Sequence, residues 1–296
     1  MTEDDKNRRI DRIIRRVLPE LSLSAVYALF RKGLIKVDGK KVSHDFHVSG
    51  NSKIQIAEFL VQENKEYQEK EYRPAEYSPL PEILLETEDL LFINKPKGIP
   101  VHGDGGLSNL IPPSHKSLDS LSFRTGPLHR LDRDTSGILT FSRSLRGARW
   151  FSDLIQTRQI EKIYLGISEG ICENSTAWES STGDNKKMIT MVKPLAIHNT
   201  EHSRCTLFLF KPVTGRKHQI RIQAAENGYP LTGDFRYGKK NSEGYFLHAR
   251  QLSFPEERLP DIPETITAPI PLSFCEKIEA LFGKYVLDTL IMQTYT

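Results

Sequence analysis

The sequence predicts an α+β protein: a mixed, mainly antiparallel sheet with flanking helices and loops, preceded by a small α/β unit. Three observations carry that expectation. Strand-like alternation recurs after residue 80, and the runs are joined by hairpin signals and irregular loops rather than by regular βαβ alternation. Residues 1–53 are basic, with 12 Lys or Arg against 7 Asp or Glu. Residues 54–78 reverse the sign, with 3 against 6. A small basic segment joined by an acidic stretch to a nearly neutral body suggests a separate nucleic-acid-binding module. We therefore divide the chain into residues 1–57, a linker over 58–79, and a main domain over 80–296.

Composition sets the outer bounds. A chain of 296 residues can bury a sizeable core and hold more than one domain. No apolar run approaches the roughly 20 residues that cross a bilayer. The N-terminus MTEDDKNRRI has no apolar signal-peptide core. A cytoplasmic protein with no membrane partner is expected. Cys172, Cys205 and Cys275 are scattered, which excludes a disulfide framework and offers no CxxC metal pair.

Helical spacing of Ile10, Ile13, Ile14, Val17 and Leu18 predicts a first helix, with Arg9, Arg12, Arg15 and Arg16 off its apolar stripe. Pro19 stops it. Ser22 or Ser24 caps a second helix that carries Val26, Leu29 and Phe30 and ends at Gly33. Ile35 and Val37 alternate ahead of Asp38-Gly39, a strong hairpin signal. KIQIA closes the unit near Ala57. Two short helices, small strands and the RKG turn of Arg31 to Gly33 resemble the S4 RNA-binding domain. That resemblance implies phosphate contacts from basic side chains on the helices, and we assign Arg12, Arg16, Arg31 and Lys32 to them.

In the main domain, EILLETEDLLFINKP reads as two short strands about a Glu-Asp turn, ending in Lys95-Pro96-Lys97-Gly98. Residues 103–127 read as a long polar loop. GPLHRLDRDTSG, Gly126 to Gly137, is a charged loop that feeds the apolar run Ile138 to Phe141. Ser144 caps a helix that buries Ala148, Phe151, Leu154 and Ile155. Glu161 to Gly170 reads as a strand, 173–187 as a polar loop, and Thr206 to Val213 as a strand. His218 to Asn227 looks helical, stopped by Gly228. YFLHARQLSF is a late strand, and a helix follows from Ser273.

Three clusters have residue types suited to chemistry: His129 to Gly137, Glu161 to Tyr164, and Gly215 to Arg221. A carboxylate among arginines stays ionised and available as nucleophile or base. DRDTS also resembles the DxDx(T/V) loop of aspartate-nucleophile phosphatases. However, GPLHRL is not the apolar strand such a loop follows, and Ser136 stands in the Thr/Val place. Arginines interleaved with His129, Asp132 and Asp134 would repel a metal cation, so no metal is expected. Asp134 is read as a loop cap, His218 as a structural histidine and Ser136 as a turn residue.

Taken in order, KPKG, HRLDRDTSG, EKIYLG, GRKHQIR and NGYPLTGDFRYG resemble the RluA-type family of pseudouridine synthases. One departure is Gln223-Ala224, where members often carry a His-Leu pair. The resemblance implies the pseudouridine synthase fold and isomerisation of uridine to pseudouridine in RNA. It makes Asp132 the catalytic aspartate, Tyr164 the tyrosine that stacks on the flipped base and is a candidate to deprotonate C5, and Arg221 the partner that holds Asp132 ionised and aimed. Arg130 becomes the candidate to fill the space the uridine leaves, with Arg133 and Arg216 as further RNA contacts. Large-subunit ribosomal RNA is the first expected substrate and tRNA the second. A non-catalytic RNA-binding or ribosome-assembly protein on the same scaffold is the competing reading. The reaction adds and removes no external group, so no cofactor is expected. The expected oligomeric state is a monomer.

Overall fold

The computed structural model describes residues 5–60, 81–103, 105–111, 123, 125–239, 241, 243–293 and 295. The linker reading over 61–79 and most of the 103–127 loop lie outside them, although 58–60 begin a helical turn and Leu107–Leu110 form a short helix.

Residues 5–60 close around their own core. The stripe read from the sequence is the buried face: Ile10, Ile13, Ile14 and Leu18 pack with Val26, Phe30, Ile35, Val37 and Val48. Helices Ile10–Val17 and Leu23–Lys32 supply most of it. Ser22, not Ser24, caps the second helix by accepting the Ala25 N–H at 3.3 Å. Gly33 ends it in the left-handed region at φ 69°. Strands β1 (Ile35–Val37), β2 (Lys40–Lys41) and β3 (Ile54–Ile56) form an antiparallel sheet in the order β2-β1-β3. Asp38 and Gly39 both take positive φ at the hairpin tip, as a type I′ turn requires. Arg12, Arg15, Arg16, Arg31 and Lys32 lie on the surface of the unit. Arg9 is not a free cation, because its guanidinium is paired with the buried Asp11 at 2.8 Å.

The main domain is built on one ten-stranded sheet. Its strands are β4 (Glu82–Glu86), β5 (Leu90–Lys95), β6 (Gly126–Pro127), β7 (Ser136–Ser142), β8 (Glu161–Glu169), β9 (Thr176–Ser181), β10 (Lys187–Asn199), β11 (Arg204–Pro212), β12 (Leu247–Ser253) and β13 (Thr265–Thr267). They run in the order β4-β5-β7-β12-β8-β11-β10-β9, with β6 on β7 and β13 on β12. Among the described strands the central β7–β12 pair alone is parallel, in register His248↔Ser136 and Ala249↔Gly137. Gly137 makes that pairing possible. It sits at φ +109°, and a Cβ there would lie 2.2 Å from the Ala249 carbonyl oxygen. Any side chain would push β12 away from β7, in the strand that directly follows the Asp132 loop.

Both faces of the sheet are covered. On β5, Leu90 and Phe92 turn to one core beneath the helix Leu145–Gln156. Leu91 and Ile93 turn to another core with Leu131, Leu139 and Phe141. Farther along the sheet, Phe208, Phe210 and Leu247 pack under the helix Gln219–Glu226. Leu165, Ile167 and Leu207 pack under the helices Leu272–Phe282 and Lys284–Met292. Ser144 caps its helix as expected, by accepting the Gly147 N–H at 2.9 Å. In that helix Gly147, rather than Ala148, is fully buried against the Asp89 backbone.

Two readings of the sequence are corrected. The polar stretch 173–187 contains strand β9 and leads into the 13-residue strand β10. β9 is the edge of the sheet, and Trp178 is its only fully buried residue, so its polar composition resembles that of a loop. The C-terminal segment is two helices rather than one, with Gly283 at φ 89° between them.

Candidate active site

The loop between β6 and β7 is held at both ends. At its start, His129 turns its ring inward, and its Nε2 accepts the Thr140 N–H at 3.0 Å. At its end, the Ser136 hydroxyl meets His248 Nδ1 at 2.9 Å. From beneath, Lys95 fixes the turn itself. Its side chain is completely buried, and Nζ donates to the carbonyls of Arg133, Thr135 and Pro96 at 2.7, 2.8 and 2.9 Å. Burial pushes the Lys95 ammonium down to about 8, against the pull of Asp134 and Asp132. Three carbonyl acceptors require three N–H donors, so the charged form is the one that fits near neutral pH. Lys97 similarly ties this corner to the Glu243 and Tyr245 carbonyls at 2.6 and 2.8 Å. The two lysines of KPKG therefore act as clamps. Replacing Lys95 by Met is expected to cost about 2–4 kcal/mol in urea unfolding, because buried carbonyls lose their donors. It should also lower kcat more than it raises KM.

What this frame presents is Asp132, whose side chain is 15% exposed. Its Oδ2 lies 3.2 Å from Arg221 Nη1, and its Oδ1 lies 3.5 Å from His218 Nε2. Arg221 is not held by Asp132 alone. Its Nε and Nη2 form a two-pronged pair with the buried Asp234 at 2.7 and 2.8 Å. Its guanidinium also stands over the Tyr245 and Tyr237 rings, 4.5 and 5.2 Å from their centroids. Burial disfavours the charge on Arg221, but Asp234, Tyr245 and Asp132 outweigh it and raise its pKa. Asp234 shows the same balance with the opposite sign. Burial lifts its pKa, while Arg221 and the Arg236 and Tyr237 N–H groups lower it further, for a net decrease. Arg221 is thus a fixed cation with a further N–H aimed at Asp132.

His218 closes the other side. It takes a left-handed conformation at φ 56°, just before the helix Gln219–Glu226. Its Nδ1 lies 2.9 Å from the Tyr237 hydroxyl. Burial and nearby Arg221, Arg236 and Lys217 lower its pKa against the pull of Asp132. A neutral ring that accepts from Tyr237 at Nδ1 points Nε2–H at Asp132. Reading His218 from the sequence as structural misses this proximity.

Tyr164 enters from β8, with its ring packed against both Phe208-side and Leu139-side cores. Burial, and then the charge of Asp132, raises its pKa, so the phenol keeps its proton. Asp132, Tyr164 and Arg221, drawn from three distant stretches, line one cleft of about 660 Å³. Arg130 and Arg216 stand exposed at its walls. A second hollow of about 430 Å³ adjoins it and shares Arg130, Asp132, His218 and Arg221. Arg133 lines that second hollow, paired with Asp134 at 3.2 Å. Asp134 therefore neutralises a neighbour rather than capping the loop. Arg12, Arg16, Arg31 and Lys32 belong to the 5–60 unit. The residues that sequence reasoning missed are Asp234, Tyr237 and Tyr245. Asp234 is visible within GDFRYG, but its task depends on an arginine 13 positions earlier that only folding brings to it.

Comparison with known proteins agrees with this arrangement. A family model described as RNA pseudouridylate synthase matches residues 89–226, a span that contains Asp132, Tyr164 and Arg221. The ribosomal large subunit pseudouridine synthase C of Pasteurella multocida is 29% identical over 294 residues, covering 92% of this chain and 89% of its own. The protein of the same name from Escherichia coli K12 is 27% identical over 283 residues, covering 86% and 87%. Among solved structures, human RNA pseudouridylate synthase domain containing 4 superposes with a TM-score of 0.55 at 24% identity, over 68% of this chain and 92% of its own. That likeness shows the pseudouridine synthase fold expected from the sequence. With that fold, the chain carries a segment that matches the RNA pseudouridylate synthase model, and it is similar along nearly its whole length to ribosomal large subunit pseudouridine synthases C.

Proposed function

We propose that the protein converts uridine to pseudouridine in large-subunit ribosomal RNA, with Asp132 as the catalytic group. The observation that carries this reading is the Asp132–Arg221–Asp234 array beside Tyr164 in one cleft. In the reaction the N1–C1′ bond breaks, the uracil turns, a C5–C1′ bond forms, the C5 proton passes to water, and N1 takes up a proton. Asp132 can begin this by attacking C1′, by attacking the base, or by removing a sugar proton. Each route needs a fixed carboxylate, and Arg221 holds Asp132 in place through Nη1 at 3.2 Å. One carboxylate suffices because the base is retained and reattached, whereas glycoside hydrolysis uses two. Tyr164, whose phenol holds its proton, serves as the face on which the extruded base lies rather than as the base that takes the C5 proton. Extrusion costs a few kcal/mol of unstacking, and Tyr164 stacking and the exposed Arg130 and Arg216 offset it.

Tritium release from large-subunit ribosomal RNA carrying 5-tritiated uridine tests the proposal. Release, with a new pseudouridine mapped in that RNA, is the expected result. Release from tRNA alone moves the substrate to tRNA. No release from either makes the protein an RNA-binding member without this activity.

Residues 1–57 are proposed as an S4-like RNA-binding module, 58–79 as the linker and 80–296 as the catalytic domain. Exposed Arg12, Arg31 and Lys32 on the module's two helices support that assignment. Their replacement by Ser in the full chain is expected to lower the slope of log K against log salt by about 2–3, as loss of three phosphate contacts should. An unchanged slope means that they are only solvated.

A further inference from the structure

The second hollow contains an exposed aromatic residue that the reaction above does not use. Phe235 is 60% exposed, directly after the buried Asp234 that holds Arg221. An aromatic ring left in water usually serves an interaction when the backbone beneath it is fixed. Here it is fixed on every side. The Asp234 carboxylate accepts the N–H groups of Arg236 and Tyr237 at 3.0 and 3.3 Å. The Gly238 N–H donates to the Asp234 carbonyl at 2.8 Å. Gly233 turns the chain at φ +83°, where a Cβ would lie 2.6 Å from the Gly244 carbonyl oxygen. The ring is thus presented by a rigid turn, with little ordering entropy left to lose.

Its surroundings specify the chemistry of an occupant. Pro100, Val101 and His102 line the same hollow, and so do Arg130, Lys217 and Arg236. These three cations form no ion pair among the described residues. The carboxylates lining the hollow are already engaged, Asp132 with Arg221 and Asp134 with Arg133. An exposed aromatic face that shares a hollow with three cations outside any ion pair among the described residues suits an unpaired nucleobase with its phosphates. The hollow shares Arg130 and Asp132 with the uridine cleft, so its occupant is a close neighbour along the strand.

We infer that Phe235 is the stacking platform for a nucleotide adjacent to the target uridine, with Arg130, Lys217 and Arg236 taking the flanking phosphates. The inference rests on the RNA substrate proposed above. It adds a second base-binding position, separate from Tyr164, in the hollow that adjoins the Asp132 cleft.

Two measurements on the full chain test it. In tritium release from a large-subunit ribosomal RNA transcript carrying 5-tritiated uridine, Phe235→Ala should raise KM roughly 5- to 150-fold, the range for one lost base–aromatic stack. Its kcat should stay within about twofold, and Phe235→Trp should restore KM. The second measurement does not need turnover: emission from Phe235→Trp should be quenched by a dodecamer of uridylate, beyond any quenching of the native tryptophans. If the native protein releases no tritium but the quenching occurs, the platform stands and the proposed reaction fails. If the native protein is active but Phe235→Ala keeps its KM, or Phe235→Trp is as impaired as Phe235→Ala, or no added quenching occurs, the platform is overturned.

Discussion

Asp132→Asn is expected to lose pseudouridine formation by on the order of 10⁴-fold or more while the protein stays folded and continues to bind RNA. The size follows from chemistry. A carboxamide can neither attack C1′ or the base nor remove a proton, so all three routes close together. The intact fold follows from geometry. Arg221 is anchored by Asp234 through two hydrogen bonds at 2.7 and 2.8 Å, and the carboxamide oxygen of the variant can still accept the N–H that now reaches Asp132. The loop backbone depends on Lys95, His129 and His248, which the change does not touch. Tritium release gives the activity, a filter-binding titration the RNA affinity, and a thermal melt the fold. A variant within tenfold of native activity would remove Asp132 from the mechanism. A variant that fails to fold would show instead that the carboxylate charge organises the loop, and Asp132→Ser would then be needed to separate the two roles.

Much of the site is legible in the sequence because its parts are local motifs with distinctive residue types. HRLDRDTSG, EKIYLG and GRKHQIR point to Asp132, Tyr164 and Arg221, and folding brings all three to one cleft. The supporting residues are less visible because their partners are distant in sequence. Lys95 reaches carbonyls 38 and 40 residues away, and nothing in KPKG alone distinguishes a buried clamp from an exposed phosphate ligand. The same limit applies to the fold. β7 and the helix Leu145–Gln156 have strong apolar patterns and a cap, so their own residues declare them. β9 is held by pairing to β10 and by the single buried side chain of Trp178, with its other residues exposed or half-buried. Much of an edge strand's stability resides in its neighbour, and one buried side chain among polar ones leaves little pattern to read.

Acidification is expected to destabilise the protein steeply between about pH 6.5 and 4.5, and the cause lies at the two ends of the catalytic loop. His248 is completely buried, and burial lowers its pKa to about 4, with Arg250 adding to the effect and the Ala268 carbonyl opposing it. Burial, with Lys162 nearby, lowers His129 to about 3. Geometry supports both directions. His129 Nε2 accepts the Thr140 N–H, a bond that a protonated ring cannot make, and His248 Nδ1 is free to accept from Ser136 only when neutral. In the unfolded chain both histidines titrate near about 6.5. As pH falls, the unfolded state therefore binds protons first. The contribution is fully present above about 6.5 and is lost as pH falls toward the folded values. Each histidine contributes up to about 1.4 kcal/mol per pH unit, so about 3–5 kcal/mol should be lost by about pH 4.5, a large share of a typical domain's stability. Urea unfolding at about pH 7, 5.5 and 4.5 measures this, and His248→Gln should flatten the slope. A midpoint that does not move down to about pH 5 would mean that one or both rings reach solvent. Because His129 holds the loop before Asp132 and His248 holds it after, activity should disappear in the same window, with the loop released at both ends before the distal sheet melts.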